Sequence, residues 1–151
     1  MDSAERANWI AVLAKAPLPL LEKQLSTLGE LPDYSFLRSP EIGLAMVRGR
    51  AEGTGQPFNL GEITLTRCVI QLNVSSGGAI AGFGYVSGRS QRHAELAALC
   101  DGLMQHPGWQ QIVQTQVIDP LAAAAEAART AAAAQVESTR VNFFTMLRGE
   151  G

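Results

Sequence analysis

Hydrophobic positions along the chain change period twice, and those changes divide it. In residues 3–15, Trp9, Val12, Leu13 and then Ala16 recur at helical spacing. Pro17 breaks that pattern, and Pro19 is suited to the first turn of a second helix carrying Leu20, Leu21, Leu25 and Leu28, with Gly29 and Pro32 as its stop signal. From Tyr34 to Ser87 the period falls to two. Ile42, Leu44 and Met46 alternate with smaller residues, β-branched residues dominate Ile63–Leu72, and Ile80–Ser87 places Phe83 and Tyr85 on one face with Gly82 and Gly84 on the other. Glycines at alternate strand positions let another backbone approach closely. A turn around Gly53-Thr-Gly55 and a hairpin at Ser75-Ser-Gly-Gly78 separate the three runs. Helical spacing returns over 90–105, ends at Pro107-Gly108, and after a connector around Trp109–Pro120 resumes from Leu121 to Met146 in an alanine-rich run.

The pattern predicts an α+β fold: a small antiparallel sheet of three or four strands packed with helices, two short helices before it and a long Ala-rich helix after it. A length of 151 residues suits a single domain over 1–151, with N-terminal helices at about 3–28, sheet and helix at about 34–105 and the last helix at about 121–147.

Composition narrows the classes. With 46% hydrophobic and 17% charged residues and a net charge of −2, the chain is a folded protein without a global basic field, so no nucleic-acid or membrane-surface partner is expected. No apolar run approaches the ~20 residues of a membrane span. The opening MDSAERANWI carries acidic residues in place of a secretory signal's basic stretch and apolar core, which gives a cytoplasmic expectation. Cys68 and Cys100 then read as reduced packing residues.

Candidate chemistry is sparse. His93 and His106 are the two histidines, the cysteines lack zinc spacing, and the glycine spacing after Gly82 fails the dinucleotide fingerprint, so no metal or bound cofactor is expected. The best polar group is Gly88-Arg-Ser-Gln-Arg-His-Ala-Glu95, where the third strand hands over to a helix. A helix start attracts anions; Gly88 permits the turn, Ser90 can cap, and Arg89, Arg92 and His93 add positive character, with Glu95 able to orient a neighbour or accept a proton. Plain capping with solvated charges explains the same residues. Arg67 shares a strand face with Ile63, Leu65 and Val69, which calls either for a pair with Glu62 or another carboxylate, or for a ligand. Near the end, adjacent Phe143 and Phe144, with Val141, Leu147 and Arg148, make an apolar surface too wide for one helix face, as at an interface or a helix end sunk in its own domain.

Three stretches carry a resemblance: GTGQPFNLGEITLTR (53–67), GYVSGRSQRHAELAALCDGLMQ (84–105) and TRVNFFTMLRG (139–149). In order and spacing they resemble the PhnG family of the phosphonate carbon–phosphorus lyase core complex, across essentially the whole chain. The resemblance implies a component of a phosphonate-catabolic transferase complex. With the H, I and L subunits it would form α-D-ribose 1-methylphosphonate 5-triphosphate synthase, moving ribose 5-triphosphate from ATP to methylphosphonate with release of adenine. H, I and J would be its partners in a symmetric core complex, and ATP and methylphosphonate would be substrates of the complex. The rival expectation is a stand-alone enzyme on a small anionic substrate, with His93 and Glu95 as acid–base pair.

Overall fold

A computed structural model describes residues 3–50, 57–74 and 78–150, with side chains in the last helix described as far as Glu137. The predicted turn at Gly53–Gly55 and the centre of the Ser75–Gly78 connection lie outside the described residues; beside the latter, Val74 N–H donates to the Gly78 carbonyl at 2.9 Å. The elements are α1 (Ser3–Lys15), α2 (Leu18–Ser26), β1 (Tyr34–Arg50), β2 (Pro57–Asn73), β3 (Ala79–Ser87), α3 (Gln91–Met104), α4 (Gln110–Val113), a π-helical segment (Gln114–Ile118) and α5 (Asp119–Glu150). The strands form an antiparallel meander in the order β1-β2-β3. The α+β expectation holds, with three strands.

α3 is the centre of the core. It lies across β2 and β3 on one face of the sheet, α1, α2 and α4 pack against it, and the π segment packs on α1 and α2. Thr66, Cys68, Ile70 and Leu72 of β2 point into this core by strict alternation, as do Val86 and the two strand glycines of β3. A Cβ on Gly84 would stand 2.7 Å from Ala98 N, and one on Gly82 2.8 Å from Gly102 N. The glycines are therefore where the α3 backbone rests directly on β3. Cys68 and Cys100 are both free and buried; burial pushes the Cys68 thiol up to about 11 and raises the Cys100 thiol beyond it.

Two features exceed the sequence pattern. β1 and β2 each run 17 residues, but β3 pairs with β2 only from Leu65 to Asn73. The outer part, from Leu44 to Arg50 and from Pro57 to Thr64, is a two-stranded arm beyond the three-stranded sheet. The expected connector at 109–120 is also helical: α4, the π segment and α5 run on without a break. The π turn spans Gln116, whose carbonyl Pro120 would strike in a regular α-helix, so the wider turn admits the proline. Leu121 still packs in the core, but residues 123–137 of α5 are exposed all round.

Candidate functional site

The 88–95 turn is built where β3 ends against β2. Gly88 takes φ 94°, a region closed to most side chains, and donates its N–H to the Thr64 carbonyl at 2.8 Å. Thr66 Oγ1 in turn donates to the Gly88 carbonyl at 2.7 Å. Ser90 caps α3 as expected, its Oγ accepting from His93 N–H at 3.2 Å.

The side chains diverge from there. His93 is 9% exposed, and its Nε2 lies 2.8 Å from the Leu13 carbonyl near the end of α1. A carbonyl only accepts, so Nε2 carries the proton and the ring ties α3 to α1. Glu95 faces the other way and accepts the hydroxyl of Tyr34 on β1. Burial, then the Glu95 contact, push the Tyr34 phenol up to about 12. Arg92 bridges elements at the surface, 3.3 Å from Glu95 and 3.6 Å from Glu22 of α2. Arg89 is exposed, with no side-chain hydrogen bond or ion pair among the described residues.

This geometry removes the acid–base pair. Residues two apart on a helix point to opposite sides, and His93 and Glu95 are each held by a different neighbouring element. The stand-alone enzyme expectation therefore fails on the positions of its own two residues.

Arg67 is not brought to the turn either. It projects from the sheet face opposite α3, about half exposed, and pairs with Glu41 across the β1–β2 ladder at 3.3 Å, with Arg38 on the same carboxylate at 3.4 Å. The expected partner Glu62 is excluded by parity, since residues five apart on a strand lie on opposite faces. The pair is solvated, not buried. The interface residues Phe143, Phe144, Leu147 and Arg148 fall on α5 but outside the described side chains.

Two groups went unnoticed in the sequence. Asp101 has no exposure and is surrounded by donors: Trp9 Nε1–H at 2.8 Å, Arg6 Nη2–H at 2.9 Å and the Phe83 backbone N–H at 2.9 Å. Its contact raises the Arg6 pKa further, and that guanidinium also lies 5.5 Å above the Phe83 ring. An aspartate inside the apolar stripe of 96–104 was the available signal, because a buried carboxylate demands partners. The second is the arm. Ile42, Leu44 and Met46 stand opposite Thr66, Thr64 and Glu62, on the same sheet face that α3 covers further in. α3 starts level with Thr64, so beyond it this face is bare: Leu44 is 69% exposed and Met46 50%. Alternation located these residues on one face but could not tell that nothing covers it.

Among the described residues no three histidine, cysteine or acidic side chains come together as metal ligands, and no helix is long and apolar enough to cross a membrane. The open groove between α1 and α5, of ≈ 560 Å³, has an apolar floor with Asn8, Lys15 and Arg129 among its lining residues and shares none of them with the turn.

The chain matches a family described as "Phosphonate metabolism protein PhnG" over residues 4–149. It is 36% identical over 147 residues, covering 97% of this chain and 91% of the relative, to alpha-D-ribose 1-methylphosphonate 5-triphosphate synthase subunit PhnG of Rhizobium meliloti (strain 1021).

Proposed function

Because the chain belongs to the PhnG family of phosphonate metabolism proteins, we propose that it is a non-catalytic subunit of a synthase that transfers ribose 5-triphosphate from ATP to methylphosphonate and releases adenine. Its partners in this reading are the H, I and J subunits of a core complex, with L joining for the synthase reaction, all in the cytoplasm. The observation that carries the reading is the bare apolar face of the β1–β2 arm, where Leu44 and Met46 are exposed and Ile42 borders them at the edge of the three-stranded sheet. An apolar edge ribbon left uncovered is an aggregation hazard, and a contact surface for another chain is the ordinary reason for one to persist. The internal use of His93 and Glu95 agrees with a chain that supplies no acid–base group itself.

In the same reading the 88–95 turn, with exposed Arg89 and Arg92, and the C-terminal stretch from Phe143 to Arg148 are contact surfaces of the complex. Arg89 is the residue of the turn free to meet a substrate phosphate or a neighbouring chain.

The test uses tagged chain co-expressed with H, I and J, followed by adenine release from ATP and methylphosphonate once L is added. Wild type should recover all three partners and support turnover, and the isolated chain should release no adenine. A Leu44→Ser/Met46→Ser variant should keep its melting temperature and lose partner recovery at least tenfold. Adenine release by the chain alone, or full recovery with the arm variant, would overturn the proposal.

A further inference from the structure

α5 leaves the body after Leu121 and continues with residues 123–137 exposed on every side. An unsupported helix of that length is marginal in water even when alanine-rich, since most helix stability in proteins comes from packing. Its few charges are arranged in a particular way. Glu126 and Arg129 lie in its first half, paired to each other at 2.6 Å, and Glu137 and Arg140 lie in the second half with the same order and spacing. A repeated acid-then-base pattern is self-complementary when two copies run antiparallel.

We propose that α5 of one copy pairs antiparallel with α5 of a second copy, about a two-fold axis level with Ala133. With the axis there, Arg129 stands at the level of Glu137 of the second copy, four positions to either side, and Glu126 at the level of Arg140, seven to either side. Each opposite-sign meeting occurs twice by symmetry, and no like-sign meeting occurs among the four positions. The facing stripe is Ala125, Ala128, Ala132 and Val136, whose small side chains permit close approach; the charged positions flank it on one side. The contact is isologous, so it closes at two copies and does not propagate.

A second observation falls into the same register. Positions 141–147 of the second copy come to the level of residues 119–125, where the groove between α1 and α5 opens. That groove is floored by Ala11, Val12, Leu20, Leu121, Ala125 and Ala128, and the arriving segment contains Val141, Phe143, Phe144 and Leu147. The charge pattern and the apolar groove thus select the same arrangement independently. It goes beyond the synthase reading and does not depend on it.

The experiment is sedimentation of the full-length chain over a concentration series, with helicity followed in parallel. Wild type should dimerise. Glu126→Arg/Arg129→Glu keeps the net charge and every pair within the helix but sets like charges against the second copy, so it should weaken dimerisation at least tenfold with unchanged helicity. Adding Glu137→Arg/Arg140→Glu restores every cross-copy pair and should return the affinity to within about threefold of wild type. Ala132→Cys should cross-link under mild oxidation, alone or in the native assembly, while Ala134→Cys on the opposite helix face should not; both native cysteines are buried. A wild type that stays monomeric and fails to cross-link at position 132 overturns the proposal. So does a Glu126→Arg/Arg129→Glu variant that dimerises as wild type. Loss of adenine release in the complex with the dimer intact would count against the synthase reading alone.

Discussion

Asp101 shows how one residue fixes the relation of three elements. Its carboxylate gathers an indole N–H and a guanidinium from α1 and a backbone N–H from β3, while its own backbone belongs to α3. The Phe83 contact is possible because Gly82 and Gly84 let α3 sit directly on the strand. Replacing Asp101 with alanine would leave a partly buried guanidinium and two buried N–H groups without their acceptor. The expected cost is about 3–5 kcal/mol, seen as a fall in melting temperature of roughly 10 °C or more. An Asp101→Ala protein that melts with wild type would show the network to be incidental. At this scale the sequence was partly readable. The strand glycines announced a close approach and Ser90 announced a cap, because both depend on neighbours along the chain. Partners across the fold were hidden: nothing in the spacing of residues connects Trp9 with Asp101 or His93 with Leu13.

Among elements, the strand and helix periods located nearly all the secondary structure, and the misses share a cause. Strand alternation ends on polarity, so the arm's far ends and the helical course of 110–118 were not visible in it. The expected connector ended at Pro120, a residue that interrupts a regular α-helix, and the π turn admits it. The tie between β1 and α3 is also measurable. Tyr34 donates to Glu95, and its phenol is pushed up to about 12 by burial and then by that carboxylate. The folded protein thus keeps this proton after the unfolded chain has lost it near pH ~10. Stability from this group is complete below that value and drains away as pH rises from ~10 through about 12. Urea unfolding over that range should fall less steeply for Tyr34→Phe than for wild type. Equal slopes would mean that the hydroxyl is not held in the folded state.

The whole molecule is a small packed body with two extensions, the β1–β2 arm and α5, which leave it with little of their own to bury. Native-state hydrogen exchange should separate them. Amides of residues 94–104 in α3 and of 67–72 in β2 should be the slowest, and those of 44–46 and 123–137 faster by roughly 10³ or more in the isolated chain at concentrations low enough to keep it monomeric. Uniform protection would mean that the extensions are integral to the body. Such an outline explains why family resemblance was legible while chemistry was not. Surfaces that meet other chains are recorded in long stretches of sequence, but they carry no nucleophile, ligand set or phosphate loop by which they could be named from first principles. The π segment at 114–118 has one more consequence. It sits between the body and α5 like a phase plate, since every residue beyond it inherits its extra increment of rotation. Dropping a single residue there would turn the whole of α5 by about 100° and draw it back by about 1.5 Å, with no side chain in α5 altered. The heading of that helix is written in chain length, so substitutions within it can accumulate while an insertion or deletion at its root re-aims the entire limb.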